Sequence, residues 1–472
     1  MKGAVMADDN NQSSAFGRFQ SRQAGGEQAS AEKPKRATEP PIFNPKDLTQ
    51  VAGIVGRLKD WIGGACLHPN PKFDVGAALA IVGNLMSQRV AAPEHGSTHL
   101  YAVAIGGSAS GKQLRLDAVK EAFTAIGASD RLGPDDFRSS VGVINQLKRH
   151  SCFCAPIDEY GGMLQRICNK GAGGYEQDII NVLQKLWGLN WAFFNTPVAA
   201  REKSKKIFAP AFTIFGVSVP ELFFGSIRSK QITSGLLNRH LIFRGDDEAE
   251  TRERVEGAWK LPLELGKELK AFYKPRFSFD EIMKTPIDEI KPPDEQEDQD
   301  DEPFDPEITM PWGNDGAKQV WVELIKEVRK ERDELRRNLF ARVPEQTIRI
   351  ASIIAFGRYS PTVGQLDMEL ARAWTLESGE ELHKGILKYG ADAQDFPGLC
   401  QKIESFMPPD GSRISRRDIN RKCRHLLNDP RELDRALGFL VQAEVIRVDN
   451  LASGPKGGAP SAGYALWKGF VS

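Results

Sequence analysis

Residues 105–113 read IGGSASGKQ and have the spacing of a phosphate-binding loop, G-x-x-x-x-G-K. In such a loop, glycines let successive backbone N–H groups point at phosphate oxygens, and the lysine reaches the terminal phosphates. The residues predicted to surround the phosphates are Gly106, Gly107, Ser108, Ala109, Ser110, Gly111 and Lys112. A glycine turn in an unrelated α/β protein is the alternative interpretation.

The residue after the lysine departs from the usual pattern. A Ser or Thr at this position supplies a hydroxyl ligand to Mg²⁺, whereas this chain has Gln113. The amide oxygen of Gln113 is neutral and can coordinate a metal ion, but its stem is longer than that of serine. We therefore expect Mg²⁺ to be held either directly by Gln113 or through water that is ordered by Asp158.

Two adjacent carboxylates, Asp158 and Glu159, end an apolar, strand-like run that begins at Ser151. An aspartate at such a strand end can hold Mg²⁺ through water, while the neighbouring glutamate polarises an attacking water. The pair follows the phosphate loop by about 45 residues. Because parallel sheets bind ligands where their strands end, we expect the pair to lie near the loop. An acid pair in a surface loop is the alternative.

Three further polar residues stand at positions that could meet a nucleotide. Ser218 ends the apolar run FTIFGVS, where its side chain could sense a phosphate or position water. Arg239 lies between a helical stretch and the apolar run HLIF, so it is either a salt-bridge partner at the edge of the core or an arginine finger that reaches a neighbouring subunit. Arg349 is the lone charge in an apolar helix and requires a specific partner, which would be a phosphate or a buried carboxylate.

The segments that must position these residues alternate between helical spacing of apolar residues and short apolar runs typical of strands. Residues 73–90 and 113–126 carry apolar residues at helical spacing, and short apolar runs at 99–107, 151–158, 208–218 and 239–245 are typical of buried strands. This alternation predicts an α/β fold with a mostly parallel sheet covered on both faces. Residues 315–340 and 344–390 are predicted to be almost wholly helical.

The order of these motifs resembles the core of an AAA+ ATPase. The stretch LLNRHLIF is similar to the arginine-finger segment of the helicase group that includes the MCM proteins, and EQTIRIA resembles their second sensor. The whole order most resembles phage, plasmid and mobile-element proteins with a primase-helicase type ATPase domain, over roughly residues 45–390.

The resemblance implies specific roles for the residues above. Phosphate binding would fall to Gly106, Gly111 and Lys112, and metal and water handling to Asp158 and Glu159. Ser218 would be a first sensor, Arg239 a finger acting in trans and Arg349 a second sensor. ATP and Mg²⁺ would be the ligands, and a ring, expected to be a hexamer, would be required because each site needs a neighbour's arginine. Gln113 departs from the family pattern, and this departure bears on ATP hydrolysis more than on ATP binding.

Residues 399–470 read as three helices and two strands, which resembles a winged helix with its wing in the Gly-rich loop at 453–463. The predicted recognition helix, 415–427, is basic. Its predicted phosphate contacts are Arg416, Arg417, Arg421, Lys422 and Arg424, with Asp418 as the lone acid. The alternative is a protein-interaction domain with a solvated basic face. Arg and Lys alone do not indicate base-specific readout.

The composition adds boundaries and exclusions. Lys plus Arg equal Asp plus Glu at 63 each, so a nucleic-acid surface must be local rather than global. The six cysteines lack zinc-site spacing and favour a reducing cytoplasm with buried free thiols. The resemblance to phage and mobile-element proteins implies that this is the cytoplasm of a bacterial host. No apolar run is long enough to span a membrane. The predicted divisions are a disordered tail (1–40), a helical segment (41–98), an AAA+ core (99–290), an acidic linker (291–307), a helical lid and sensor region (308–395) and a winged helix (396–472).

Together these features predict a ring-forming ATPase that moves along or remodels DNA, single-stranded or forked, with a replicative helicase as the expected form and a primase or other replication protein as a possible partner. A nucleotide-binding initiator or scaffold that hydrolyses weakly is the first alternative, because of Gln113. An ATPase that remodels protein partners, such as a loader, is the second.

Overall fold

Four buried, β-prone runs form a parallel sheet in a computed structural model of the chain. The strands along the chain are β1 (Val90–Ala91), β2 (Tyr101–Ile105), β3 (Cys152–Ile157), β4 (Phe193–Asn195), β5 (Lys206–Phe208), β6 (Ala211–Ser218), β7 (His240–Arg244), β8 (Ile308–Thr309), β9 (Ile414–Ser415), β10 (Ile446–Leu451) and β11 (Ser461–Leu466). The spatial order of the parallel sheet is β3–β6–β2–β7. The predicted α/β class with a parallel sheet is confirmed.

The structure describes residues 38–168, 173–198, 204–227, 229–245, 251, 253, 257–273, 306–390, 399–400, 402–408, 410–424, 430–442, 445–451 and 461–467. Most of the predicted tail, most of the acidic linker and most of the predicted wing lie outside these residues. Among the helices that the structure describes, none is both long and apolar enough to cross a membrane. The cysteines are all free and buried, as the sequence predicts.

Helices cover both faces of the parallel sheet. The helices of the described chain are α1 (Gly53–Gly64), α2 (Pro71–Met86), α3 (Lys112–Ala125), α4 (Ser140–Arg149), α5 (Tyr160–Cys168), α6 (Gly174–Gly188), α7 (Pro220–Gly225), α8 (Ser229–Thr233), α9 (Leu263–Tyr273), α10 (Asp315–Lys330), α11 (Glu334–Phe340), α12 (Val343–Gly357), α13 (Gln365–Tyr389), α14 (Arg416–Cys423) and α15 (Pro430–Gln442). The segments at 315–340 and 344–390 are almost wholly helical, as the sequence predicts.

The parallel sheet has a hydrophobic core on each face, and the side chains of β2 point alternately into the two cores. Ala102 and Ala104 pack into one hydrophobic cluster with α2 and α3, whereas Tyr101, Val103 and Ile105 pack into a second cluster with α5 and α6. Successive residues of a strand point to opposite faces, so a central strand with helices on both sides must be apolar throughout.

The register of the sheet defines two edges. Ile105 is paired with Ser218 on one side and with Arg244 on the other, so β2, β6 and β7 end together. We call this the carboxyl edge. Tyr101 is paired with His240, so the start of β7 lies at the opposite edge, which we call the amino edge. The four residue steps from Tyr101 to Ile105 separate the two edges by about 13 Å, at roughly 3.3 Å per residue.

The C-terminal residues have a small core of their own. An antiparallel sheet in the order β10–β11–β9 packs with α14 and α15 around a hydrophobic cluster that includes Ile419, Leu437 and Ile446. Residues 425–427, the end of the predicted recognition helix, lie outside the described residues.

Candidate phosphate site and arginine cluster

The glycine-rich loop joins β2 to α3 at the carboxyl edge. Ala109 and Gly111 have positive φ values of 66° and 74°, and Gly111 precedes the first residue of α3. A Cβ at Gly106 would lie only 2.8 Å from both the Phe73 ring and the Ser110 hydroxyl, so this position also needs glycine. Ser108 and Ala109 are exposed. The glycines therefore allow a tight turn whose end is the N-terminus of a helix, which favours anions.

Lys112 folds back over this loop. Its Nζ donates to the carbonyl oxygens of Gly106, at 2.7 Å, and Gly107, and to the Ser110 hydroxyl at 3.2 Å. The ammonium group thus lies at the start of the loop. Hydrogen bonds to a charged acceptor are roughly twice as strong as those to a neutral one, so a phosphate would compete well with these carbonyl oxygens.

Arg115, which the sequence analysis did not single out, links the loop to α2 and to the segment that precedes α2. Its Nε donates to Asp74 at 2.8 Å, and its two terminal nitrogens donate to the carbonyls of Gly111 and His68 at 2.9 and 3.1 Å. The Arg115 side chain is fully buried. The signal in the sequence was Asp74, an acid within the apolar run of α2 that needed a buried cation.

The acid pair lies at the same edge as the loop. Asp158 and Glu159 are both exposed, and the Asp158 Oδ1 accepts a hydrogen bond from the Glu159 N–H at 2.8 Å. Glu159 has a positive φ of 46°. Because β6 lies between β2 and β3, the end of β6 separates the loop from the acid pair.

That intervening strand end carries Ser218. Its side chain is buried and donates to the Val219 carbonyl at 3.0 Å. A Cβ on Gly161, in the first turn after the acid pair, would lie 2.4 Å from the Ser218 hydroxyl. The structure therefore brings Ser218 against the segment that follows Glu159.

Gln113 points away from the loop. Its side chain is exposed and its amide nitrogen donates to Asp117, one turn along α3, at 3.2 Å. Among the described residues, no group of three or more His, Cys, Asp or Glu side chains could hold a metal ion. A Mg²⁺ that is bound largely by phosphates and water needs only one or two carboxylates, and Asp158 fits that requirement.

Arg239 lies at the amino edge, on the far side of the sheet from Lys112. It ends a 3₁₀ turn immediately before β7, is half-buried, and donates through Nη1 to the Gly235 carbonyl. Its guanidinium lies 5.8 Å from the centre of the Trp187 ring. Burial and the nearby charge of Arg342 lower the pKa of Arg239. Arg239 therefore cannot contact a nucleotide on the phosphate loop of its own chain.

Arg349 also lies at the amino edge, and its partners differ from those predicted. It is 1% exposed and donates to the carbonyls of His99 and Trp187, each at 2.7 Å, and to the Asn190 side chain at 2.9 Å. Its guanidinium stacks 4.1 Å from the centre of the Trp187 ring.

The carboxylate nearest to Arg349 is only partly buried. Glu345 is 3.5 Å from Arg349 and 31% exposed. Burial lowers the pKa of Arg349 to about 10, and the charge of Glu345 opposes that shift. In this structure Arg349 is thus a buried cross-link between α12, α6 and the start of β2, and it does not reach the phosphate loop of its own chain.

Arg342 is a residue of this cluster that the sequence analysis missed. It directly precedes the first residue of α12, its side chain is 41% exposed, and it pairs with Glu345 at 2.9 Å. Its guanidinium lies 5.8 Å from the Trp187 ring, the same distance as that of Arg239. Three arginines, Arg239, Arg342 and Arg349, therefore surround one buried indole with Glu345 as their nearby carboxylate, which leaves an excess of positive charge at the amino edge.

The basic helix α14 presents its charges unevenly. Arg416 is paired with Asp434 at 2.7 Å, Arg421 is paired with Asp418 at 3.1 Å, and the Lys422 ammonium lies 5.0 Å from the Phe406 ring. Arg417 and Arg424 are exposed, and no ion pair within the described part of the chain involves either.

No protein-family model matches this chain, and no curated protein matches its sequence.

Proposed function

We propose that this protein is a ring-forming ATPase of AAA+ type that couples ATP hydrolysis to movement along or remodelling of DNA, as a phage or mobile-element replicative helicase does. The observation that carries the proposal is the division of charged groups between two edges of one sheet. Lys112 and the Asp158–Glu159 pair lie at the carboxyl edge, and the arginine cluster lies at the amino edge.

In the proposed mechanism the loop holds ATP through its backbone N–H groups and Lys112. Mg²⁺, which would be held by Asp158 through water or by Gln113, would offset the charge of the terminal phosphates. Glu159 accepts a hydrogen bond from the attacking water and orients it. Ser218 stands behind the acid pair, where it restrains the turn that carries Glu159.

The amino edge would serve the nucleotide of the next subunit. Arg239 and Arg342 are both partly exposed, so a phosphate of a neighbouring subunit can approach them. This proposal transfers the second arginine role from Arg349 to Arg342, because Arg349 would have to leave its buried acceptors to bind a phosphate. Arginine fingers of this kind contribute about 10³ to 10⁵ in rate.

The proposed DNA contact is the C-terminal region, in which a basic helix packs against a three-stranded antiparallel sheet, the arrangement expected of a winged helix. Arg417 and Arg424 are its best candidates for phosphate contacts. The other basic residues of the helix already have partners in the chain.

The test is ATP turnover with and without single-stranded and forked DNA. We expect DNA-stimulated turnover that is abolished by Lys112→Ala and by Glu159→Gln. Two matched exposed residues, Lys120→Ala on α3 and Glu264→Gln on α9, should leave turnover unchanged. Nucleotide binding without turnover under any condition would eliminate the motor.

A mixing experiment tests the shared site. Lys112→Ala and Arg239→Ala should each be inactive alone, because each removes one half of every site. In a mixture, a site that combines the intact loop of one variant with the intact Arg239 of the other is complete, so partial activity should return. No recovery on mixing would exclude action in trans.

Gln113 favours a second candidate, a DNA-binding initiator or scaffold that binds ATP but hydrolyses it weakly. Its amide is engaged with Asp117 rather than directed at the loop, so this position contributes no metal ligand in the structure described. The same turnover assay separates the two candidates, because only the initiator would bind ATP tightly with a negligible rate.

A further inference from the structure

Another arginine, Arg244, ends the strand next to the one that leads into the phosphate loop of the same chain. Arg244 is the last residue of β7 and is paired in register with Ile105, the last residue before the loop begins at Gly106. The next residue, Gly245, donates its N–H to the Ile105 carbonyl at 3.0 Å, which continues the ladder to the end of the sheet. The backbone of Arg244 is therefore fixed against the start of the loop.

The Arg244 guanidinium and the Lys112 ammonium both bond to the backbone where β2 ends and the loop begins. Arg244 Nη1 donates to the Ile105 carbonyl at 3.2 Å, and Lys112 Nζ donates to the carbonyl of the following residue, Gly106, at 2.7 Å. Two cationic groups thus bond to successive carbonyls of one strand end. The side chain of Arg244 is only partly buried.

The bond from Arg244 to Ile105 is not needed to satisfy the backbone. The Ile105 carbonyl already accepts the ladder hydrogen bond from Gly245, so the guanidinium is a second donor to an acceptor that has one. More positive charge lies close by. A hydrogen bond with Tyr389 raises the pKa of Lys388, near the end of α13, and the nearby charge of Arg244 opposes that rise.

We infer that Arg244 binds the terminal phosphate of the nucleotide on the loop of its own chain. The inference rests on the proposed function, since it requires ATP at this loop. Arg244 would contact the γ-phosphate, which ATP has and ADP lacks, and would therefore distinguish the two nucleotides. Lys112 reaches the β- and γ-phosphates in loops of this type, and its ammonium bonds to Gly106, the residue after the Ile105 carbonyl that Arg244 contacts. The planar guanidinium of Arg244 can bind phosphate oxygens through two parallel hydrogen bonds.

This role is separate from that of Arg239. Arg244 and Arg239 stand at opposite ends of β7, about 16 Å apart along the strand. One arginine would therefore contact the phosphate of its own subunit and the other that of the next. A single short strand would then link the occupancy of two adjacent sites.

The test compares the binding of ATPγS and ADP, each with Mg²⁺, to the full-length wild type, Arg244→Gln and Arg244→Lys. Arg244→Gln should weaken ATPγS binding by about 10- to 100-fold, the loss expected for a hydrogen bond to a charged group. ADP binding should stay within about twofold, because the contact is to the terminal phosphate. Arg244→Lys should recover part of the ATPγS affinity, and Arg138→Gln, a 78% exposed arginine elsewhere, should change neither.

The other outcomes overturn the inference in distinguishable ways. Equal loss of ATPγS and ADP affinity, together with a lower melting temperature, would make Arg244 a clamp between β7 and β2 and no ligand. Unchanged affinity for both nucleotides would exclude any contact. A wild type that binds neither nucleotide would remove the proposed function as well, whereas a wild type that binds both would limit the failure to Arg244.

Discussion

The Tyr160 hydroxyl lies 2.7 Å from Nε2 of His240, and both side chains are fully buried. Tyr160 directly follows Glu159, and His240 directly follows Arg239. Nδ1 of His240 lies 3.0 Å from the Leu236 carbonyl, which can only accept, so Nδ1 carries the proton and Nε2 accepts from tyrosine. One buried hydrogen bond therefore joins the segment that carries Glu159, the carboxylate proposed to orient water, to the segment that carries Arg239, the proposed finger.

Removal of this hydroxyl should be costly. Tyr160→Phe leaves Nε2 of His240 buried without a donor, so we expect the free energy of unfolding to fall by about 1–3 kcal/mol. Denaturant unfolding at pH 7.5 measures the change. Tyr175→Phe, at a tyrosine that is 72% exposed, is the matched control and should change stability little. Equal stabilities of the two variants would show that the Tyr160 contact is not formed in solution.

His240 also predicts a dependence of stability on pH. Burial lowers the pKa of His240 to about 4 from its usual value near 6.5. As the pH falls, His240 therefore binds a proton in the unfolded chain before it does so in the folded chain. The stabilising effect of the neutral ring is complete above about pH 6.5 and is lost as the pH falls towards about 4. At about 1.4 kcal/mol per pH unit, the loss at pH 5 is about 2 kcal/mol.

His99, whose pKa burial also lowers, acts in the same direction, so a variant is needed to isolate His240. The wild type and His240→Gln should be compared by denaturant unfolding at pH 7.5 and pH 5.0. The variant should be less stable at pH 7.5 but should lose less on acidification. An identical loss in both proteins would assign the pH dependence to other groups.

The glycine turn and the strand and helix on either side of it could be predicted because their signals are local. A buried strand, a glycine turn and a helix follow one another within Leu100–Ile126, and the turn itself requires the glycines. The parallel sheet was predictable for a similar reason, since strands with helices on both faces must be apolar throughout. Local patterns therefore identified which residues stand at strand ends.

Contacts between distant segments could not be predicted in this way. The position of Arg244 beside the loop depends on the register of β7 against β2, and the bonded residues are 139 apart in sequence. Likewise, Arg342 directly precedes α12 and Arg349 lies within it. Which of the two is buried depends on the packing of α12 against α6. The pattern of α12 showed that Arg349 needed a partner, but two of its acceptors are backbone carbonyls, which no residue type reveals.

These positions give Arg342 and Arg349 opposite behaviour on substitution. Arg349→Lys removes the planar group that donates to several acceptors and stacks on Trp187, so we expect a loss of stability above about 2 kcal/mol. Arg342→Lys, at a partly exposed residue, should cost less than about 1 kcal/mol but should reduce ATP turnover in the assembled protein. Unfolding curves and turnover measured on the same samples separate the two effects. A stable but inactive Arg349→Lys would restore the sensor role to Arg349.

The exposed basic residues of α14 should determine the salt dependence of DNA binding. Arg417 and Arg424 have no ion pair within the described residues, so no acid among those residues would compete with a bound phosphate for them. Each phosphate contact that is lost should lower the slope of log affinity against log salt by about 1. The double variant Arg417→Ala/Arg424→Ala should therefore bind more weakly at low salt, with a slope smaller by about 2.

Fluorescence anisotropy of labelled DNA over a salt series measures this slope. Lys148→Ala/Arg149→Ala, which removes two exposed cations at the end of α4, is the matched control for net charge. The slope should not depend on DNA sequence, because arginines that contact phosphates fix position and carry no base information. Equal slopes for the two double variants would place the DNA contact elsewhere and would leave the C-terminal region as a protein-interaction domain with a solvated basic face.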